Sequence, residues 1–302
     1  MRTNENILEW IYVCFLKKLH EKDAQGAART HRKRITRNDV IAYYRLNPSK
    51  DQDINEALHY LKSYGFHTPY PFPFRDKYRV KEMEIEVDKD GMPFHTFEDN
   101  KKIYLTRCAK EEAARLLNER IMEQDPESPH RYLSQKFTVK EGDIMADVGS
   151  AEALLSLQVI DKLKRLYLFE AEEEWNEALR KTFEPWKEKV VIVNKFVSNK
   201  NDDKHISLER FFKNEPEPPT IIKMDVEGAE MDVMEGMGHL WNNKNLKIAV
   251  CTYHQQHDFD RIKEYIEKKG MSHEESKKYI LMSLDGYQPP YFRKALLRGY
   301  FK

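Results

Sequence analysis

The residues best placed to do chemistry lie at the ends of short apolar runs. Asp143 to Val148 reads as a strand that breaks at Gly149 into a helix, and Leu166 to Phe169 reads as a second strand ending on Glu170. In a parallel sheet flanked by helices, ligands sit beyond the carboxyl ends of the strands. There the first loop approaches closely, and an acid one unit later meets ribose hydroxyls. The pattern predicts a nucleoside crevice bordered by Asp147, Gly149, Ser150, Ala151, Glu152 and Glu170. A dinucleotide site needs three clustered glycines to wrap a diphosphate, whereas Gly149 stands alone before Ser150, Ala151, Glu152 and Ala153. A carboxylate at the helix opening repels phosphate, so a phosphate-free, positively charged nucleoside fits better.

S-adenosylmethionine is such a ligand: its carboxylate can take loop amides and its ribose diol can meet Glu170. A further strand, Ile221 to Met224, delivers Asp225 to the same edge, and Gly228 then permits a sharp turn. Methyl transfer is an in-line displacement, so the protein positions the acceptor and removes its proton. His254 follows the fifth strand, and an ordinary imidazole pKa near 6.5 would suit it as the base. His130 enters from a proline-flanked stretch and could close over the site. Asp225, Glu227, Glu230, His254 and Asp258 could gather a hard divalent cation. However, Glu227 and Glu230 are expected in the first turn of a helix, whose dipole stabilises acids without metal. The chain is therefore read without one.

Composition narrows the partners. The 302 residues carry 51 basic and 51 acidic side chains, so tight polyanion binding through counterion release is not expected, and nucleic acid is excluded as the main partner. Arg32, Lys33, Arg34 and Arg37 cluster near the start, as a solvated surface or a peripheral membrane contact. Cys14, Cys108 and Cys251 form no metal-type pair and suit a reducing cytoplasm. The apolar segment Trp10 to Leu16 is too short to span a bilayer and suits a packed or dimerising helix.

Two regions are expected. Residues 1–130 read as a helical cap plus a small β region for acceptor binding or dimerisation, and 131–302 as the catalytic domain. In the first, a helix over Ile7 to Leu19 packs on another carrying Ile54, Ala57, Leu58 and Leu61. An extended aromatic connector, Thr68 to Phe74, follows. Met83, Ile85 and Val87 alternate with acids as a strand, and a turn at Asp88–Gly91 follows. Lys102 to Leu105 forms another strand, and a helix through Ala109 and Ile121 ends before Asp125-Pro126, where a domain boundary is expected. Beyond it, strands near Ile144–Val148, Leu166–Phe169, Val190–Val193, Thr220–Met224 and Leu246–Cys251 alternate with helices. Tyr279–Met282 and Leu296–Phe301 are expected to close the sheet as an antiparallel pair.

That layout is similar to the α/β, Rossmann-like sheet of class I methyltransferases, with a smaller α+β region in front. Asp147-Val148-Gly149, Leu168-Phe169-Glu170 and, most specifically, Ile222 to Glu230 resemble the FkbM family of S-adenosylmethionine-dependent methyltransferases, from roughly residue 100 onward. Ile206-Ser207-Leu208-Glu209 also resembles the family, and Glu123 to His130 is similar to members found among polysaccharide and surface-glycan genes. The resemblance implies a donor site that adds Ala171, Phe196 and Asp225 to the residues above, and O-methylation of a sugar hydroxyl on a small-molecule or glycan acceptor. Ala151 and Ala153 depart from the family loop, which has Asn and Gly there. Two readings compete: a degenerate relative that binds without turnover, supported by those two alanines, and a nicotinamide-dependent oxidoreductase.

Overall fold

Strands of a parallel sheet covered by helices read as largely apolar runs, and five such runs build the centre of the molecule. In the computed structural model, which describes residues 35–78, 80, 83–282 and 288–301, these are β4 (Asp143–Val148), β5 (Leu163–Phe169), β6 (Val190–Val193), β9 (Ile221–Met224) and β10 (Lys247–Cys251). They pair in parallel, in the order β10-β9-β4-β5-β6. Alternate residues on one face of the sheet, among them Val148, Phe169, Met224 and Val250, pack with Ile262, Ile266 and Leu297 in one buried cluster. Helices α4 (Leu154–Val159), α5 (Glu173–Phe183), α6 (Leu208–Phe212), α7 (Glu230–Glu235) and α8 (Asp258–Lys268) connect the strands. The architecture is the Rossmann-like sheet of class I methyltransferases.

The end of the sheet differs from expectation. β14 (Leu296–Tyr300) is antiparallel to both β10 and β11 (Ser272–Glu275). β11 therefore runs with the five parallel strands, and β14 alone is reversed. Ile280–Leu281 (β12) leaves the sheet and pairs with Phe292–Arg293 (β13). Ser272, His273, Glu274 and Glu275 carry no apolar alternation because β11 is an edge strand, held by backbone pairing to β14.

In front of the sheet, α1 (Arg37–Leu46) starts at a Thr36/Asp39 capping box, and α2 (Gln52–Tyr64) is capped by Asp51. Ala57, Leu58 and Leu61 are buried as their spacing requires. Their expected partner helix Ile7–Leu19, the Trp10–Leu16 segment, Cys14, and Arg32 to Arg34 lie outside the described residues. The connector buries Tyr70, Phe72 and Phe74, so its aromatics serve packing. The strand expected over 83–87 shrinks to Glu86–Val87 (β1), with Val87 45% exposed. It is the edge of a three-stranded sheet with β2 (Pro93–Thr96) and β3 (Lys102–Tyr104). After α3 (Lys110–Glu123) the proline-flanked stretch lies within one compact unit, residues 35–302, with Asp125, Ser128 and His130 buried. Among the described residues no helix is long and apolar enough to cross a membrane. The short strands β7 (Phe196–Val197) and β8 (His205–Ile206) pair in parallel after β6.

Candidate active site

The loop leaving β4 is fixed by its neighbours. Gly149 has φ +73°, and a Cβ there would lie 1.9 Å from the Asp225 carbonyl oxygen, so only glycine lets this loop cross the end of β9. The amides of Gly149 and Ser150 both donate to the Phe169 carbonyl, at 3.0 and 3.2 Å. Lys223, inside β9, sends its ammonium to Asp147 at 2.9 Å and to the Gly149 carbonyl at 2.5 Å. Ser156 donates its hydroxyl to Asp147 at 2.6 Å. Burial disfavours the Lys223 charge, but Asp147 and Asp225 hold its pKa above the usual lysine range. Asp147 is fully buried, so the structure places it as a brace beneath the loop rather than as an open ligand for a donor.

Glu170 is presented differently. Its two carboxylate oxygens accept the amides of Ala151 and Glu172, each at 2.8 Å, and burial raises its pKa. Each oxygen keeps a second lone pair for a hydroxyl donor. The Ser150 hydroxyl is buried and makes no hydrogen bond among the described residues. An orphaned polar atom beside a preset carboxylate is what a nucleoside ligand would satisfy, so these residues fit the donor expected from sequence. Glu152 is buried, with Arg120 Nε 3.4 Å from its carboxylate; burial raises its pKa and Arg120 opposes the rise. Ala171 is half-buried, and Phe196 is 43% exposed with its ring beside His205. No side-chain hydrogen bond or ring contact given by the described residues joins Phe196 to the Gly149 loop.

Both departures from the family loop are strained. Ala151 has φ +44° and Ala153 φ +58°, and Ala153 stands just before α4 rather than within it. Its methyl is therefore not absorbed by a helix. A left-handed non-glycine residue costs about 1–2 kcal/mol, partly offset in glycine by unfolded-state entropy. Ala153→Gly is expected to stabilise the protein by about 1 kcal/mol and raise Tm by roughly 2–4 °C. A thermal melt that is unchanged or lower would refute the strain.

The second half of the crevice centres on Asp225. Tyr132 donates its hydroxyl to Oδ2 at 2.8 Å, and His130 Nε2 lies 3.6 Å from the same oxygen. His254 Nε2 lies 3.5 Å from Oδ1 and 3.6 Å from Glu227 Oε2, while its Nδ1 donates to Glu230 Oε1 at 2.8 Å. Glu230 Oε1 also accepts the Val226 amide at 3.0 Å. Burial works against the Asp225 charge, yet His130, Lys223, His254 and Tyr132 together hold its pKa far below the usual carboxylate range. For His254, burial favours the neutral ring, but Glu230, Glu227 and Asp225 outweigh it and raise the pKa to about 10. The expectation of an ordinary value near 6.5 thus fails, because three carboxylates face one imidazole. His130 is buried, and burial lowers its pKa; its Nε2 is 3.2 Å from the Tyr253 hydroxyl and 3.5 Å from Cys251 Sγ.

The structure thus joins Gly149, Ser150, Ala151 and Glu170 on one side, and Asp225, His254 and His130 on the other. Lys223, Tyr132 and the clamp of Glu230 on His254 were missed from sequence. Lys223 did leave a signal, since a lysine inside an apolar strand needs a buried anion.

Comparison with known proteins adds the family. The model of the methyltransferase FkbM domain matches residues 106–277. Among solved structures, methyltransferase FkbM from Methylobacillus flagellatus KT is 16% identical with TM-score 0.45, over 63% of this chain and 54% of that one. The chain thus spans about half the length of that protein. A precorrin-6y C5,15-methyltransferase from Geobacter metallireducens GS-15 is 12% identical with TM-score 0.38, over 74% of this chain and 100% of that one. An rRNA methylase from Streptococcus thermophilus is 13% identical with TM-score 0.35, over 54% and 90% of the two chains. No curated protein matches the sequence. The matched domain covers more than half of the chain and includes the Gly149 loop, Glu170 and the Asp225–His254 cluster, so this chain belongs to the FkbM methyltransferase family.

Proposed function

We propose that the protein transfers a methyl group from S-adenosylmethionine to a hydroxyl of a sugar or glycan intermediate, in the cytoplasm. The supporting observation is the adjacency of the two half-sites: the Gly149 loop, which carries the amide bound by Glu170, also packs on the Asp225 backbone. When bound, the donor supplies an electrophilic methyl on a sulfonium centre. Around it, Glu170 would accept the ribose hydroxyls, and Ser150, Ala151, Glu152, Ala171 and Phe196 would complete the binding surface. The acidic wall favours a cation over a diphosphate.

Asp225 is the group that would receive the acceptor hydroxyl. Proton loss can accompany C–O bond formation, so a hydrogen bond to an ionised carboxylate suffices without prior ionisation. His254, held protonated by its carboxylates, would position Asp225 rather than act as the base, and neutral His130 would support it from the other side with Tyr132. Arg120, His130 and Tyr132 bring the region ahead of β4 to the crevice, in keeping with an acceptor-binding role for that part.

Labelled donor offered with sugar nucleotides and short glycans is expected to yield a methylated product. Asp225→Asn should lower kcat by about 10²–10³-fold with donor affinity within a few-fold; equal turnover would remove Asp225 from the mechanism. Donor binding with no transfer to any acceptor would favour the binding-only reading, and stabilisation by dinucleotide but not by S-adenosylhomocysteine would favour the oxidoreductase.

A further inference from the structure

We propose that Arg298, on the reversed strand β14, is a positioning residue for methyl transfer: it fixes the backbone from which Tyr132 holds Asp225, a role that rests on Asp225 meeting the acceptor. Residues 131–134 belong to no helix or strand, so their carbonyls need partners from elsewhere. Arg298 supplies two. Its Nε donates to the Tyr132 carbonyl at 2.7 Å, and its Nη2 donates to the Arg131 carbonyl. The Tyr132 amide donates to Gln124 Oε1 at 3.3 Å. Both backbone groups of Tyr132 are thus held by distant side chains, while its own hydroxyl donates to Asp225 Oδ2 at 2.8 Å.

The sheet places the arginine for this task. β14 runs between β10 and β11, and Arg298 stands opposite Ala249 on one side and Glu274 on the other. A buried guanidinium needs an anion, and Glu274 Oε1 accepts from Nη1 at 3.0 Å. That pairing answers the charge. Arg298 is buried, yet it spends its other contacts on two successive carbonyls rather than on a second carboxylate. A guanidinium is a planar fork that spans two acceptors at a fixed spacing, whereas a lysine ammonium is one point on a flexible stem. Among the described residues the hydrogen bonds of Arg298 go to Glu274 and this backbone, so it acts on Asp225 through Tyr132. A shift of the Tyr132 backbone passes to its hydroxyl and turns the Asp225 carboxylate, and a misplacement of about 1 Å can cost about 10²-fold in rate.

The test is a double-mutant cycle of Arg298→Lys with Tyr132→Phe in the full chain, read by kcat, by S-adenosylhomocysteine affinity and by NMR of Cζ-labelled tyrosine. Well below Tm, Arg298→Lys is expected to lower kcat at least about tenfold, with S-adenosylhomocysteine affinity within a few-fold. In the Tyr132→Phe background the same change should cost less than about twofold, because the hydroxyl through which it acts is gone. Equal costs in both backgrounds overturn the proposal, since a merely structural arginine would give them. Without any acceptor, the Tyr132 signal, identified by its loss in Tyr132→Phe, should move in Arg298→Lys. Glu274→Ala removes only the partly exposed carboxylate behind Nη1, so it decides the matter where Arg298→Lys fails to fold: the signal should move there too, and a fixed one overturns the clamp. A moved signal in a protein that methylates no acceptor would end the methyl-transfer reading and leave Arg298 as the residue that sets Tyr132 on Asp225. A fixed signal with normal turnover in Arg298→Lys would end this proposal and leave methyl transfer standing.

Discussion

Replacing Lys223 by Met should destabilise the protein by about 3–5 kcal/mol, the usual cost of leaving one partner of a buried ion pair alone. Asp147 is fully buried, and Lys223 is 6% exposed. Without the ammonium, Asp147 would keep only the Ser156 hydroxyl, and the Gly149 carbonyl would lose its donor. At the size of this chain the loss corresponds to a fall in Tm of roughly 10 °C. Because the pair braces the Gly149 loop, donor affinity should fall with it. Thermal melts of wild type and two variants separate this account from a packing defect. Lys223→Met should be the least stable. The double variant Lys223→Met/Asp147→Leu should recover much of the loss, since apolar side chains of similar size often replace a buried pair at little cost. A double variant no more stable than Lys223→Met would show that the buried charge is not the cause.

This pair also marks what the sequence could and could not show. The central parallel strands were legible because burial on both faces leaves mostly apolar runs, such as Leu166 to Phe169 and Ile144 to Val148 with its single charge at Asp147. Their ends, at Gly149, Glu170 and Asp225, followed from topology, since parallel strands deliver their carboxyl ends to one edge. β11 was invisible because Ser272–Glu275 is polar at every position and is held by backbone pairing. Pairings across long separations were equally hidden. Nothing local to Asp147 says that Lys223 will neutralise it, and nothing local to His254 says that Glu230 will hold its ring. Residue types therefore located the site, while partners decided what each carboxylate and imidazole in it can do. Asp147 became a brace and His254 a cation for that reason.

In EDTA, His254→Gln is expected to change how stability depends on pH. In the unfolded chain the imidazole titrates near its ordinary 6.5, whereas in the folded protein its pKa is raised to about 10. Below about pH 6.5 both states hold the proton and the stabilisation by Glu230, Glu227 and Asp225 is complete. Between the two values only the folded state holds it, so this contribution falls with rising pH by up to about 1.4 kcal/mol per unit. Near pH 10 it is spent. Wild type should therefore exceed His254→Gln by the widest margin near pH 6, with about 4–5 kcal/mol as a ceiling, and the two curves should converge toward pH 10. A margin independent of pH would mean that the imidazole is not charged in the folded state. Catalysis reads the same proton from the other side. If His254 were the base, kcat would climb about tenfold per pH unit toward 10, because only the neutral ring can accept a proton. If it braces Asp225 as an imidazolium, kcat should be level from about pH 7 to 9 and decline once the ring loses its charge.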